Sequence, residues 1–234
     1  MGGIGLIRYN IELFTNNKEI LDNVSILIIT ISLISIIYGS LIAIRQNDIK
    51  KIIAYSSIVH MAITIIGIIL KDLQGIQGSI YTFISHGLIS SALFLLIGLL
   101  YKRYHTRIII YYRGLSNILP LFSLFFLFFS FANIAFPLTS SFIGELLIIT
   151  STVNNNKILA IILGLTILFS TSYAIWLNNR LLFGKISPYI QKYLDLSKIE
   201  LNSLIPLFLF TLLLGIFSFP LLNITLLSNL KYIL

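Results

Sequence analysis

Residues 119–153 read LPLFSLFFLFFSFANIAFPLTSSFIGELLIITSTV, and the reading of this stretch decides the fold. A helix needs about 20 apolar residues to cross the ~30 Å hydrocarbon layer of a bilayer. Leu119–Val153 is too long for one straight crossing, and Pro137 lies near its middle. Proline lacks an amide donor and its ring clashes with the preceding turn, so a break is expected around Phe136–Ser141. Non-helical backbone survives at membrane depth only where it is buried in protein or lines a hydrated cavity. The break is therefore a pointer to a site, and Glu145 follows it directly.

Outward from this segment the apolar runs repeat. Spans are expected at Val24–Ile44, Lys51–Leu70, Gly75–Tyr101, Lys157–Phe183 and Ser203–Leu227. The fold class is thus all-α, a polytopic bundle of about six crossings with one helix broken near Pro137. Gly2–Phe14 is apolar but too short to cross, and reads as the tail of another helix. Composition agrees: 57% of residues are hydrophobic, only 10% are charged, and the mean hydropathy is +0.98. A soluble domain carries roughly 25% charged residues.

The formal net charge of +8 does not point to nucleic acid, because the basic residues fall between apolar runs. Arg45, Lys50, Lys51, Lys102, Arg103, Arg107, Arg113, Arg180, Lys185, Lys192 and Lys198 belong to the loops after Val24–Ile44, Gly75–Tyr101 and Lys157–Phe183, the first, third and fifth of the six spans in chain order. Lys18, Lys71, Lys157 and Lys231 hold the other side, and Arg8 lies in the N-terminal partial helix. The positive-inside rule turns the first group to the cytoplasm or matrix and the C-terminus to the opposite side. The chain has no cysteine, which excludes disulfides and thiolate ligation of zinc or iron–sulfur clusters. No cleavable signal or basic presequence is expected at the N-terminus.

Three residues stand out chemically. An acid at membrane depth is expensive, so Glu145 is expected to face the bundle interior or a hydrated cavity. Desolvation disfavours the ionised form of a carboxyl, which suits a group that gains and loses protons. His60 and His86 lie midway along the second and third spans, and imidazole exchanges protons near neutral pH. Ser56, Ser57, Ser85, Ser90 and Ser91 lie near them and could hold linking water. Alternatives remain open: Glu145 locked to a lysine for assembly, or histidines that only bridge helices. Zinc is disfavoured, since no close i, i+4 pairing supports a ligand set. His105 reads as a surface residue in the basic loop. Asp48 reads as the N-cap of the helix that starts near Ile49, in a turn that also carries Lys50.

Several motifs resemble the antiporter-like membrane-arm subunits of respiratory complex I, the proton-pumping NADH:ubiquinone oxidoreductase. They are Gly2-Gly3-Ile4-Gly5-Leu6-Ile7-Arg8-Tyr9, Gln46 through Met61, Ser85-His86-Gly87 through Phe94, Phe142-Ile143-Gly144-Glu145, Tyr173, and Arg180 through Gly184. Together they span nearly all of residues 1–190. Within that family the sibling subunits 2 and 5 carry lysine where this chain has Glu145, so the resemblance is to the subunit 4 branch. It implies two inverted five-helix repeats, each with a broken helix. Residues 15–190 would form the second repeat, 1–14 the tail of a helix shared with an upstream partner, and 191–234 a loop and final helix. Glu145 would be the protonatable terminus of a polar axis, and His60 and His86 its central stations.

The resemblance also implies the surroundings. The partners would be the upstream half of subunit 4 (a split gene being the simplest source), subunits 2 and 5, the other complex I subunits and membrane lipids. No cofactor would be bound by this chain; NADH, FMN, iron–sulfur clusters and ubiquinone would belong to other subunits. The site would be the mitochondrial inner membrane, with the basic loops on the matrix side. Rival readings are a subunit of an Mrp-type cation/proton antiporter and a non-conducting scaffold fragment. Two departures from the family pattern bear on the break: its Pro-Gly is here Pro137-Leu138, and a later glycine is Ser141.

Overall fold

The computed structural model describes residues 3, 5–7, 18–189 and 194–225, with the side chains of 18–23 left aside. Most of the expected N-terminal partial helix, with Arg8, lies outside the described residues, as do Lys192, Lys231 and the C-terminus. The long helices are α1 (Lys18–Arg45), α2 (Ile49–Ile69), α3 (Leu73–Tyr104), α4 (Pro120–Asn133), α5 (Ser140–Asn155), α6 (Lys157–Leu182) and α7 (Lys198–Ile216). Five of them (α1, α2, α3, α6 and α7) are long and apolar enough to cross a membrane, and α4 with α5 makes the broken sixth. This is the expected polytopic helical bundle.

Local chemistry sets the helix ends. Asp48 caps α2 by accepting from the Lys50 amide at 3.0 Å, as its position in the turn implies. The Lys50 side chain itself is exposed. Asn156 caps α6 through Ile158 (3.0 Å). No residue beside the start of α4 caps it; Asp195, far along the chain, accepts from the amides of Leu121 (2.7 Å) and Phe122 (3.2 Å). The last crossing differs from the sequence expectation. It starts at Lys198 because Ser197 and Glu200 form a capping box. It also ends at Ile216 rather than running on to Leu227; helix resumes at Phe219, where Pro220 can sit only in a first turn.

Helix α3 is the hub, in contact with α2, α4, α5 and α7, while α1 lies on α2 and α6. One apolar core joins α3, α4, α6 and α7 around Phe122, Phe126, Phe129 and Tyr173. A second joins α1, α2, α5 and α6 around Ile36, Val59, Ile63, Ile148 and Leu163. The outward faces of α1 (Ile26, Leu27, Ile31, Ile34) and α7 (Leu209, Phe210, Leu213) stay exposed, as lipid-facing surfaces do.

The three basic loops meet at one end. The loop after α1 pairs with the loop after α3 through Ile49 N–H to the Arg107 carbonyl (3.0 Å) and Ile109 N–H to the Asn47 carbonyl (2.9 Å). Arg103 donates to Glu200 (2.8 Å) and to the Asp195 carbonyl (3.2 Å), which adds the loop after α6. His105 is exposed there, as expected.

The break between α4 and α5 runs Ile134–Thr139, two residues ahead of the expected stretch. Helix α4 closes with Ala135 at φ +60, the Ala135 amide on the Ala132 carbonyl (3.2 Å) and the Phe136 amide on the Phe131 carbonyl (3.2 Å). This is the left-handed C-terminal motif that usually takes glycine. A turn over Phe136-Pro137-Leu138-Thr139 follows, closed by the Thr139 amide on the Phe136 carbonyl (3.1 Å), with Leu138 at φ +75. Proline second and a positive φ third define a type II turn, whose third place favours glycine. Leu138 keeps the turn at a cost of roughly 1–2 kcal/mol. Ser141 lies inside α5 and donates to the Ala132 carbonyl at the end of α4.

Candidate functional site

Glycine packing brings the site together. At Gly144 on α5 an added Cβ would meet the Thr82 backbone amide of α3 at 2.9 Å, and at Gly78 it would meet the Gly144 carbonyl at 2.8 Å. Only glycine permits such an approach, as in other small-residue helix crossings in membranes. Glu145, the next residue, is thereby fixed at the junction of α2, α3 and α5.

There Glu145 Oε1 lies 2.8 Å from His60 Nδ1. The two residues are only 5% and 4% exposed, so the pair is shielded from bulk solvent. A hydrogen bond of this length is strong where it is desolvated, and it fixes the imidazole orientation. The other ring nitrogen, His60 Nε2, is buried without a hydrogen-bond partner. The His86 ring stands 5.6 Å from the His60 ring, centroid to centroid, tilted by 40°. A narrow cavity lined by Glu145, His60, His86, Thr82, Ser85 and Asn133 joins these groups, with room on the order of one water molecule.

A polar layer extends away from the pair. Asn133, the last residue of α4, donates to Ser56 Oγ on α2 (3.2 Å), and Asn178 on α6 donates to Ser130 Oγ on α4 (2.7 Å). Tyr173 on α6 is 2% exposed, and its hydroxyl lies beside Ser56. The arrangement can hold one proton between carboxylate and imidazole, and offers acceptors on both sides of it.

The structure brings Glu145, His60 and His86 into one site, as the sequence implied. Among the described residues Glu145 is paired with His60 and with no lysine. Pro137 is exposed and shapes the turn without touching the pair. Asp48 and Lys50 belong to the basic end, away from the site. Sequence reasoning passed over Asn133 and Asn178, for which a carboxamide inside an apolar run was the signal available; Tyr173 it named only as part of a motif.

The family model for the transmembrane part of NADH:quinone oxidoreductase and Mrp antiporter proteins matches residues 1–172. The chain belongs to this family. Within it, chain 4 of NADH-ubiquinone oxidoreductase from Chondrus crispus is 48% identical over 224 residues, 95% of this chain and 45% of the relative. Subunit M of the NADH-quinone oxidoreductase of Rhodobacter capsulatus is 38% identical over 218 residues, 93% of this chain and 42% of the relative. The chain therefore spans about half the length of the curated relatives it matches. A chain of respiratory complex I from Thermus thermophilus superposes with a TM-score of 0.85 at 26% identity, over 96% of this chain and 48% of that one. A chain of the Mrp complex from a Dietzia species shares the fold, with a TM-score of 0.83 at 17% identity over 95% of this chain and 49% of its own. The similarity to the subunit 4 branch, first read from Glu145 and its neighbours, is borne out. This family member is a multi-pass membrane protein.

Proposed function

We propose that this chain is a proton-translocating subunit of the membrane arm of an NADH:ubiquinone oxidoreductase in the mitochondrial inner membrane. It supplies the second half of an antiporter-like path, residues 15–190 being one repeat. Glu145, His60 and His86 are the relay. One observation carries the reading: a carboxyl and an imidazole, both nearly fully buried, share a 2.8 Å contact with a second imidazole 5.6 Å from the first. A group buried at such cost is expected to be functional. Glu145 passes its proton to His60 Nδ1, and the His60 ring releases the proton it already carries on Nε2 towards His86 through the cavity. The carboxylate is then reprotonated and the ring returns to its Nε2–H tautomer before the next transfer. The basic loops face the matrix. Partners are the chain that supplies the front half, the neighbouring antiporter-like subunits 2 and 5, and other subunits of the complex. NADH, FMN, iron–sulfur clusters and ubiquinone are held by those others, and no electron passes through this chain.

The test uses inner-membrane vesicles carrying Glu145→Gln. Glutamine keeps a hydrogen bond to His60 but cannot release a proton. NADH-driven acidification is expected to fall severalfold per NADH oxidised while the complex stays assembled. Full-strength pumping would favour a scaffold. Pumping by the parent that survives a quinone-site inhibitor would favour an Mrp-type antiporter.

A further inference from the structure

The final helix α7 lies outside the repeat that contains Glu145, yet it reaches the break that shapes the site. At Gly215, in its last turn, an added Cβ would fall on the Leu138 carbonyl, 2.6 Å from its carbon and 2.7 Å from that of Thr139. Helix and turn thus meet backbone to backbone, at the residue held at φ +75. One residue earlier, the Leu214 carbonyl accepts a hydrogen bond from the Tyr81 hydroxyl of α3. Tyr81 is 1% exposed and directly precedes Thr82, which lines the cavity and receives Gly144.

We propose that Gly215 and Tyr81 make the end of α7 a backstop that holds the Leu138–Thr139 turn and so positions Glu145. The proposal rests on the proton-relay reading of that site. The mechanical path is short. Thr139 is 3% exposed, and its hydroxyl lies 3.3 Å from that of Ser141. Ser141 in turn donates to the Ala132 carbonyl and lines the cavity, one helical turn before Glu145. A turn whose third residue is a leucine keeps its left-handed conformation only where its surroundings over-determine it. The backbone of Gly215 supplies that constraint from one side, and the Tyr81 hydroxyl fixes the helix that carries it. Gly215 and Tyr81 are positioning residues; neither touches a proton in transit.

The experiment compares Gly215→Ala, Gly215→Ala with Leu138→Gly, Tyr81→Phe and Glu145→Gln in the assembled complex, in membrane vesicles. Gly215→Ala is expected to leave the KM for NADH unchanged and to lower protons pumped per NADH about threefold. Adding Leu138→Gly is expected to restore pumping, since a glycine turn accommodates the methyl group. A merely structural glycine would show no such rescue. Tyr81→Phe, which keeps the ring, is expected to speed deuterium exchange at the Leu138, Thr139 and Phe142 amides with the rest of the chain unchanged. If Gly215→Ala does not assemble, that exchange decides the matter. Unchanged pumping in Gly215→Ala, absence of rescue, or unchanged exchange in Tyr81→Phe would overturn the proposal. If Glu145→Gln pumps fully, the relay reading fails first; if it does not and Gly215→Ala does, only the backstop fails.

Discussion

Replacing His60 by leucine should do more damage alone than together with its partner. In His60→Leu the Glu145 carboxyl stays 5% exposed and loses its 2.8 Å contact. Removing one member of a buried pair costs about 3–5 kcal/mol. The carboxyl escapes part of this by keeping its proton, so about 3 kcal/mol is the working figure. Glu145→Leu strands one further imidazole nitrogen, His60 Nδ1, at a cost of about 1–3 kcal/mol. The double substitution His60→Leu/Glu145→Leu leaves no orphan and buries apolar groups of similar size, which is often close to neutral. The assay is deuterium exchange of the purified complex, read at the amides of α2 and α5. At ~1.4 kcal/mol per decade, His60→Leu should speed exchange roughly a hundredfold and Glu145→Leu roughly tenfold. The double variant should remain within about tenfold of the parent. Rates in the double variant that equal the product of the two singles would refute a coupled pair.

Other outcomes follow from the same geometry. Tyr173→Phe deletes a buried hydroxyl beside Ser56, a contact worth about 1 kcal/mol, so heat inactivation of the complex should be at most slightly faster. If that hydroxyl serves Glu145, NADH-driven pumping in vesicles should nonetheless fall. Asp195→Ala removes the cap on α4, worth about 1 kcal/mol, and should speed exchange at Leu121 and Phe122 about fivefold while leaving α5 unchanged. Asp48→Ala should do the same at the start of α2, seen at the Lys50 amide.

Much of this architecture is legible in the sequence because lipid imposes a simple rule on it. Runs of Ile, Leu and Phe longer than about 20 residues must cross, and a proline in a run that is too long must break it. Glu145, His60 and His86 stood out because polar groups are rare at that depth. What the sequence hid is tertiary. Nothing local says that Asp195 caps α4, since the residue and the helix start lie 74 positions apart. Nor does local pattern show that His60, rather than a lysine, partners Glu145 across 85 residues. The early end of α7 was missed because Phe217 and Ser218 look as apolar or small as their neighbours. Leu138 looked like a departure that changes the break. The structure keeps the turn, with leucine bearing the strain that glycine would avoid.

The central claim is that the proton shared by Glu145 and His60 moves during turnover. Redox-triggered infrared difference spectroscopy of the assembled complex reads this directly, through the carbonyl stretch of a protonated carboxyl. The account predicts a carboxyl band that appears or disappears when NADH and quinone are supplied, is lost in Glu145→Gln, and shifts in His60→Leu. A spectrum in which Glu145→Gln removes no band that changes with turnover would contradict it.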